Sequence, residues 1–391
     1  MKLTGILSAR QAWPKQMAMP GRLCVLTGLR REVNCVVRSF WLFALQIVLF
    51  SLLPGFAQSG SVPPVNRQQG ALTLDVMVTD RAGAPIRGLQ QGDFTLLDDK
   101  RPRGLTSFRA VDIAAGTPAP YIEIVLVIDA INADPLKAEL ERNGIKKFLQ
   151  TNGGKLSTPV SLVVVSDSPI QMRSKASTDG NALAALVDQY TTGLRTINRS
   201  QGVYGVEDRF QMSMKAFDSL AAYESRKPGR KLMLWVSPGW PLLTSGASDV
   251  TTQDHRRIFH SIVTLSTQLR QDHIVLYNVE TRGLTGTSIG KFNDYEQFLS
   301  GVKSPDQAYP PTLSLQVLAV QTGGRVFNES NDLPSAIAAE IAKGAADASP
   351  FYVLSFDPVR ADRVNEYHSL EVKVAKPGLI ARTRTGYYAQ P

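Results

Sequence analysis

Four short, nearly unbroken apolar runs, separated by longer two-faced segments, decide what the chain between Tyr121 and Ala346 can become. The runs are 121–128 (YIEIVLVI), 160–165 (VSLVVV), 232–236 (LMLWV) and 274–279 (IVLYNV). A strand with one wet face alternates apolar and polar residues. A β-branched run without alternation has to be covered on both faces, as in a parallel sheet flanked by helices.

The segments between the runs supply those covers. Residues 134–150 carry Leu136, Leu140, Ile145, Phe148 and Leu149 at helical spacing, and 207–223 carry Phe210, Met214, Phe217 and Leu220. Further helices are expected at 179–190, 251–270, 313–320 and 333–346, with a short edge strand at 170–173 and a last strand at 324–327. Residues 281–311 read as an irregular insertion with a short helix at 295–299. Strands alternating with amphipathic helices give a Rossmann-like α/β fold with a mostly parallel central sheet over 121–347.

The flanks follow another rule. Leu72, Leu74, Val76 and Val78 alternate with more polar neighbours, and strands around 94–97 and 105–108 follow at turn-punctuated intervals. That pattern describes a small β-sandwich-like unit over 70–113, joined by the linker 114–120 (AAGTPAP). The tail, 350–391, contains alternating runs at 351–356, 367–374 and 379–388. These are antiparallel strands that either extend the small β unit or form a layer of their own.

Residues 1–57 read as a secretory signal: seven basic residues and one acid precede an apolar run, 40–53, which ends at Pro54 and a small-residue site. Fourteen helical residues span roughly 21 Å, short of a ~30 Å hydrocarbon core, although an uncleaved anchor is the alternative reading. A polar linker, 58–70, follows. Removing the signal takes away Cys24 and Cys35, hence every thiol, and six of the nine net positive charges. Nucleic-acid binding is therefore not expected, and neither is membrane insertion after cleavage. The expected destination is the periplasm, the cell surface or the extracellular space.

Three stretches together resemble a known family: 76–99 (VMVTDRAGAPIRGLQQGDFTLLDD); the strand ending IVLVIDAIN with the later 230–241 (RKLMLWVSPGWP) and 273–284 (HIVLYNVETRGL); and the ending 352–389. Their order is similar to that of the VWFA-related proteins of the acidobacterial type. The resemblance implies a von Willebrand factor type A domain flanked by β segments and exported from a bacterium.

Type A domains commonly hold Mg²⁺ through a D-x-S-x-S loop, whose alternating oxygens suit a hard cation. Here Asp129 keeps the first position, but Ile131 and Ala133 stand where the serines would be. Asn132 falls between them, and Ser237-Pro238-Gly239 replaces the later aspartate. One ligand of five is left, so no cofactor is expected. The alternative role for Asp129 is to cap a helix or accept hydrogen bonds from loop amides. The strand-end rim remains as a surface, with Asn132, Ser237, Trp240 and Arg282 as candidate contacts to a protein or glycan partner. Packing of Trp240 over its loop and pairing of Arg282 with an acid are the alternatives.

Motifs for catalysis are missing. His255 and His260 are five apart rather than four, no H-E-x-x-H or G-x-S-x-G occurs, and 283–292 lacks the glycine and the Ser/Thr of a phosphate loop. Asp98 and Asp99 read as a solvated turn. The expectation is a non-enzymatic, exported binding or adhesion protein. A structural module of an envelope assembly and an exported enzyme with an unrecognised site are the other readings.

Overall fold

The computed structural model describes residues 70–113, 121–133, 135–166, 172–191, 203–241, 250–281, 294–328 and 334–391. The expected signal and linker at the N-terminus, the linker 114–120, and Arg282 lie outside the described residues.

The central sheet is built from β5 (Ile122–Asp129), β6 (Lys155–Val165), β7 (Met172–Arg173), β9 (Arg230–Ser237), β10 (Ile274–Glu280) and β11 (Val326–Phe327). Its order is β11-β10-β9-β5-β6-β7, with the short β8 (Ser177–Asp179) paired to β6. The pairs among β11, β10, β9, β5 and β6 are parallel, and β7 runs antiparallel at the edge. In order of appearance along the six-strand path this is 3-2-1-4-5-6, the doubly wound arrangement.

Alternate residues of each strand feed opposite layers, which explains the unbroken apolar runs. Ile124, Leu126 and Ile128 of β5 pack with α1 (Pro135–Leu149), α2 (Gly180–Thr191) and α6 (Pro334–Ala346), through Ile145, Leu183, Val187, Ile337 and Ile341. Val125 and Val127 face α3 (Val203–Glu224), α4 (Thr252–Gln271) and α5 (Leu315–Gln321), through Phe217, Leu220, Leu269, Leu315 and Leu318. Each such side chain, once buried, contributes roughly 1.5–3 kcal/mol. A capping box starts α4: the Asp254 amide donates to Thr251 Oγ1 and the Thr251 amide donates to the Asp254 carboxylate, both at 3.2 Å.

The terminal strands form two four-stranded sheets. One has the order β14-β1-β12-β4 and the other β15-β13-β2-β3. The members are β1 (Leu72–Thr79), β2 (Phe94–Asp98), β3 (Arg101–Arg103), β4 (Ser107–Val111), β12 (Phe351–Phe356), β13 (Glu366–Val374), β14 (Ile380–Arg382) and β15 (Gly386–Ala389). Of the two placements left open for the tail, the pairing selects the one that extends the N-terminal strands: β12 lies between β1 and β4, and β13 lies beside β2. Leu74, Val76, Phe94, Leu96, Leu354, Phe356, Val372 and Tyr387 share one apolar cluster.

Two details differ from the sequence expectation. The run 379–388 is two strands in different sheets, β14 on β1 and β15 on β13. The chain crosses between the sheets at Thr383–Arg384, whose backbone lies against Gly323 at φ 89°, where a Cβ would meet it at 2.6 Å. Asp98 is not a solvated turn residue but is buried at the end of β2, where its carboxylate accepts from the Tyr387 hydroxyl at 3.0 Å.

Candidate functional site

Strand order reverses between β5 and β9, so the crevice of the sheet opens at their carboxyl ends. Asp129 closes β5 and Ser237 closes β9. The two residues meet: Ser237 Oγ donates to Asp129 Oδ2 at 2.7 Å.

Asp129 is fully buried and receives five hydrogen bonds. Its Oδ1 accepts from the amides of Ile131 and Asn132 at 2.8 and 3.0 Å. Its Oδ2 accepts from Asn132 Nδ2 at 2.9 Å and Trp235 Nε1 at 3.0 Å, besides the Ser237 hydroxyl. A carboxylate offers about four lone-pair sites, so these donors saturate it. The two amide bonds are the loop-capping role that was the alternative for this residue.

That arrangement does not fit a divalent ion. Every Asp129 oxygen is engaged by protein donors, Ile131 is turned into the core, and Ala133 has no ligand atom. Ser237, in place of the aspartate, points its hydroxyl proton at the very oxygen a metal would need. The local strain is small: Gly239 takes φ 85°, and its amide donates to Ser237 Oγ at 3.0 Å, closing the turn after β9.

Trp240 was expected as a presented contact residue, and the structure corrects this. It is 1% exposed, edge-on to Trp235 with ring centres 5.2 Å apart and to Phe217 at 5.6 Å. The Pro-Gly-Trp-Pro turn folds the indole under the loop, because an apolar ring gains more from the α3 layer than from water. Ser237 is likewise fully buried and so makes no direct partner contact. Asn132 is half-buried; its amide nitrogen bridges Asp129 and Ser213 Oγ, each at 2.9 Å, and its Oδ1 has no hydrogen-bond partner. The structure therefore brings Asp129, Asn132 and Ser237 together, places Trp240 beneath them, and is silent on Arg282.

Sequence reading missed two participants. Ser213, on α3, anchors Asn132, and only the fold places it there. Gln316, on α5, is 1% exposed and neither end of its amide has a partner. Its Nε2 sits 2.1 Å from where a Cβ on Gly239 would be, so only glycine admits it. At the far side, Glu280 and Thr281 are buried, and Thr281 Oγ1 donates to Glu141 on α1.

A cleft of about 430 Å³ lies at the opposite end of the sheet, lined by Tyr121, Arg173, Lys175, Tyr223 and Lys227 among others. Lys227 there is paired with Glu123 at 2.8 Å and Glu224 at 3.0 Å. Among the described residues, no helix is long and apolar enough to cross a membrane.

What fold and site define together is a mixed α/β protein with a mostly parallel doubly wound sheet and a polar strand-end crevice. No family model matches the chain, and no curated protein matches it. Among solved structures, von Willebrand factor type A from Catenulispora acidiphila matches at 9% identity and TM-score 0.28, over 83% of this chain and 75% of that one. Manganese-loaded Plasmodium vivax TRAP protein matches at 10% identity and TM-score 0.29, over 73% and 97%. The human COPII-coat protein Sec24c matches at 11% identity and TM-score 0.32, over 70% of this chain but only 44% of its own length. Likeness at these levels lends no weight to any shared activity.

Proposed function

We propose that the chain is a non-enzymatic binding module of the von Willebrand type A kind, kin to the VWFA-related proteins of the acidobacterial type. It is exported, and it recognises a protein or glycan partner at the rim formed by the ends of β5 and β9 without a divalent ion. The observation that carries this reading is the saturation of Asp129 by five protein donors at the strand-order switch point. A rim held together by internal hydrogen bonds is ordered before a partner arrives, which lowers the entropy lost on binding. Asn132 and Ala133, both half-buried, form the accessible part of that rim.

The test is capture of envelope proteins and of a glycan array by the purified chain, with and without EDTA, alongside the Ala133→Arg variant. Capture should survive EDTA and fall at least tenfold with Ala133→Arg. Loss of capture in EDTA, or wild-type capture by the variant, would sink the proposal.

A further inference from the structure

Far from the rim, the turn between β2 and β3 meets the middle of β13. There Asp98, Asp99 and His368 each present one ligand atom, all within 4.8 Å of one another. Asp98 and His368 are buried, while the Asp99 side chain is 48% exposed.

Each carboxylate divides its work between its two oxygens. Asp98 Oδ2 accepts from the Tyr387 hydroxyl at 3.0 Å and lies 3.6 Å from Arg103 Nε. Asp99 Oδ1 accepts from the Ser369 amide and hydroxyl, both at 2.9 Å. The outer oxygens are thus held by protein donors. The inner ones, Asp98 Oδ1 and Asp99 Oδ2, lie 3.2 and 3.1 Å from His368 Nδ1. The Tyr387 ring stacks on the imidazole at 5.1 Å and 18°, which fixes its plane. His368 Nε2 has no hydrogen-bond partner, so the ring's polar engagement runs through Nδ1 alone.

This is the layout of a metal site with its supporting shell in place. Ligands about 2.0–2.2 Å from a tetrahedral ion stand roughly 3.3–3.6 Å apart, near the 3.2 and 3.1 Å separating His368 Nδ1 from the two inner carboxylate oxygens. The two carboxylates are each oriented by a further hydrogen bond, as such sites use to set ligand geometry, and the imidazole by its stacking on Tyr387. An imidazole nitrogen with two carboxylate oxygens suits a first-row divalent cation; magnesium and calcium prefer oxygen alone. The half-exposed Asp99 leaves one side open to water.

We propose that Asp98, Asp99 and His368 form a zinc-class cation site that clamps the β2–β3 hairpin to β13. The competing occupant is a proton on Nδ1 shared between the carboxylates, and the experiment separates the two.

The full chain is prepared with Cys24→Ser and Cys35→Ser, so that no thiol competes, stripped with chelator and titrated with zinc chloride by calorimetry. One zinc per chain should bind, and melting should shift upward by several degrees at a hundredfold excess over Kd. Asp99→Asn is the deciding variant. It keeps the size and the left-handed backbone tolerance needed at φ 48°, and it should weaken zinc on the order of tenfold or more. Loss of the buried His368 ring would also unseat Tyr387, so that position is not used alone. Glu371→Gln, exposed on the same strand, should leave zinc affinity unchanged. Absence of one-to-one binding in the parent overturns the proposal, as does parental affinity in Asp99→Asn.

Discussion

Replacing Asp129 by asparagine tests whether this carboxylate is an anchor of the fold or a remnant ligand. The change preserves shape and turns one acceptor oxygen into an NH₂ donor. If the NH₂ takes the Oδ2 position, it meets Asn132 Nδ2, Trp235 Nε1 and the Ser237 hydroxyl, which are three donors. If it takes the Oδ1 position, it meets the amides of Ile131 and Asn132. The second orientation loses fewer bonds, namely two. Hydrogen bonds to a charged acceptor contribute about 1.5–3 kcal/mol each, so the loss is about 3–5 kcal/mol after some relaxation of the loop. For a domain of this size that lowers the melting temperature by on the order of 10 °C. Differential scanning calorimetry of parent and variant, each with and without about 1 mM magnesium (roughly a thousandfold over a micromolar Kd), gives the answer. The expected result is a large drop in the variant and no magnesium response in either. A drop of under about 2 °C, or a parent that gains several degrees from magnesium while the variant does not, would refute the reasoning.

Trp240→Ala should cost about 3–5 kcal/mol, because it empties a ring-sized volume against Trp235 and Phe217. A variant with parental melting temperature would mean that the indole is displayed rather than buried. Burial pushes the Glu224 carboxyl above its usual range, with Lys227 opposing the shift. A carboxyl raised on folding gives its full stability below its unfolded value, about 4.3, and loses it as pH climbs through the raised value. Glu224→Gln should therefore flatten the decline in melting temperature from about pH 4.5 upward, and a slope equal to the parent's would show that the group is not raised.

The sheet was legible because its physics is local. Val125, Val127 and their neighbours have to be apolar on both faces, and no other element demands that over eight residues. The alternation in 72–78 likewise marked β1, whose Leu72, Leu74, Val76 and Val78 enter one apolar cluster, and the run 351–356 forms β12. What could not be read was placement that depends on distant partners. The break inside 379–388 comes from a crossing against Gly323, and nothing between Leu379 and Tyr388 encodes it. Trp240 shows the same limit: its turn residues are visible, but the Phe217 layer that receives it is set by the fold. Asp98 looks like any turn acid until Tyr387 and His368 arrive from β15 and β13.

The end of the sheet opposite the rim explains why the terminal strands and the α/β layers act as one body. Arg230 opens β9 almost without exposure, with its Nε 3.3 Å from Asp75 of β1 and its Nη1 donating to the Asp347 carbonyl at 2.7 Å. Arg382 of β14 places Nη2 at 2.8 Å from both Asp347 oxygens, and the Tyr277 hydroxyl of β10 donates to the same carboxylate at 2.8 Å. Buried charges are tolerated only when each finds a partner, and removing one strands the others at a cost of several kcal/mol. The first strand, the penultimate strand and β9 therefore depend on one another's charges, with the neutral Tyr277 hydroxyl of β10 tied into the same network. The network joins the amino end of β9, through Arg230, and the middle of β10, through Tyr277, to the terminal strands. At the other end of the sheet, the Asp129–Ser237 crevice is held by donors from the central α/β layers: Asn132, Trp235 and Ser237 meet at Asp129, and Ser213 of α3 anchors Asn132.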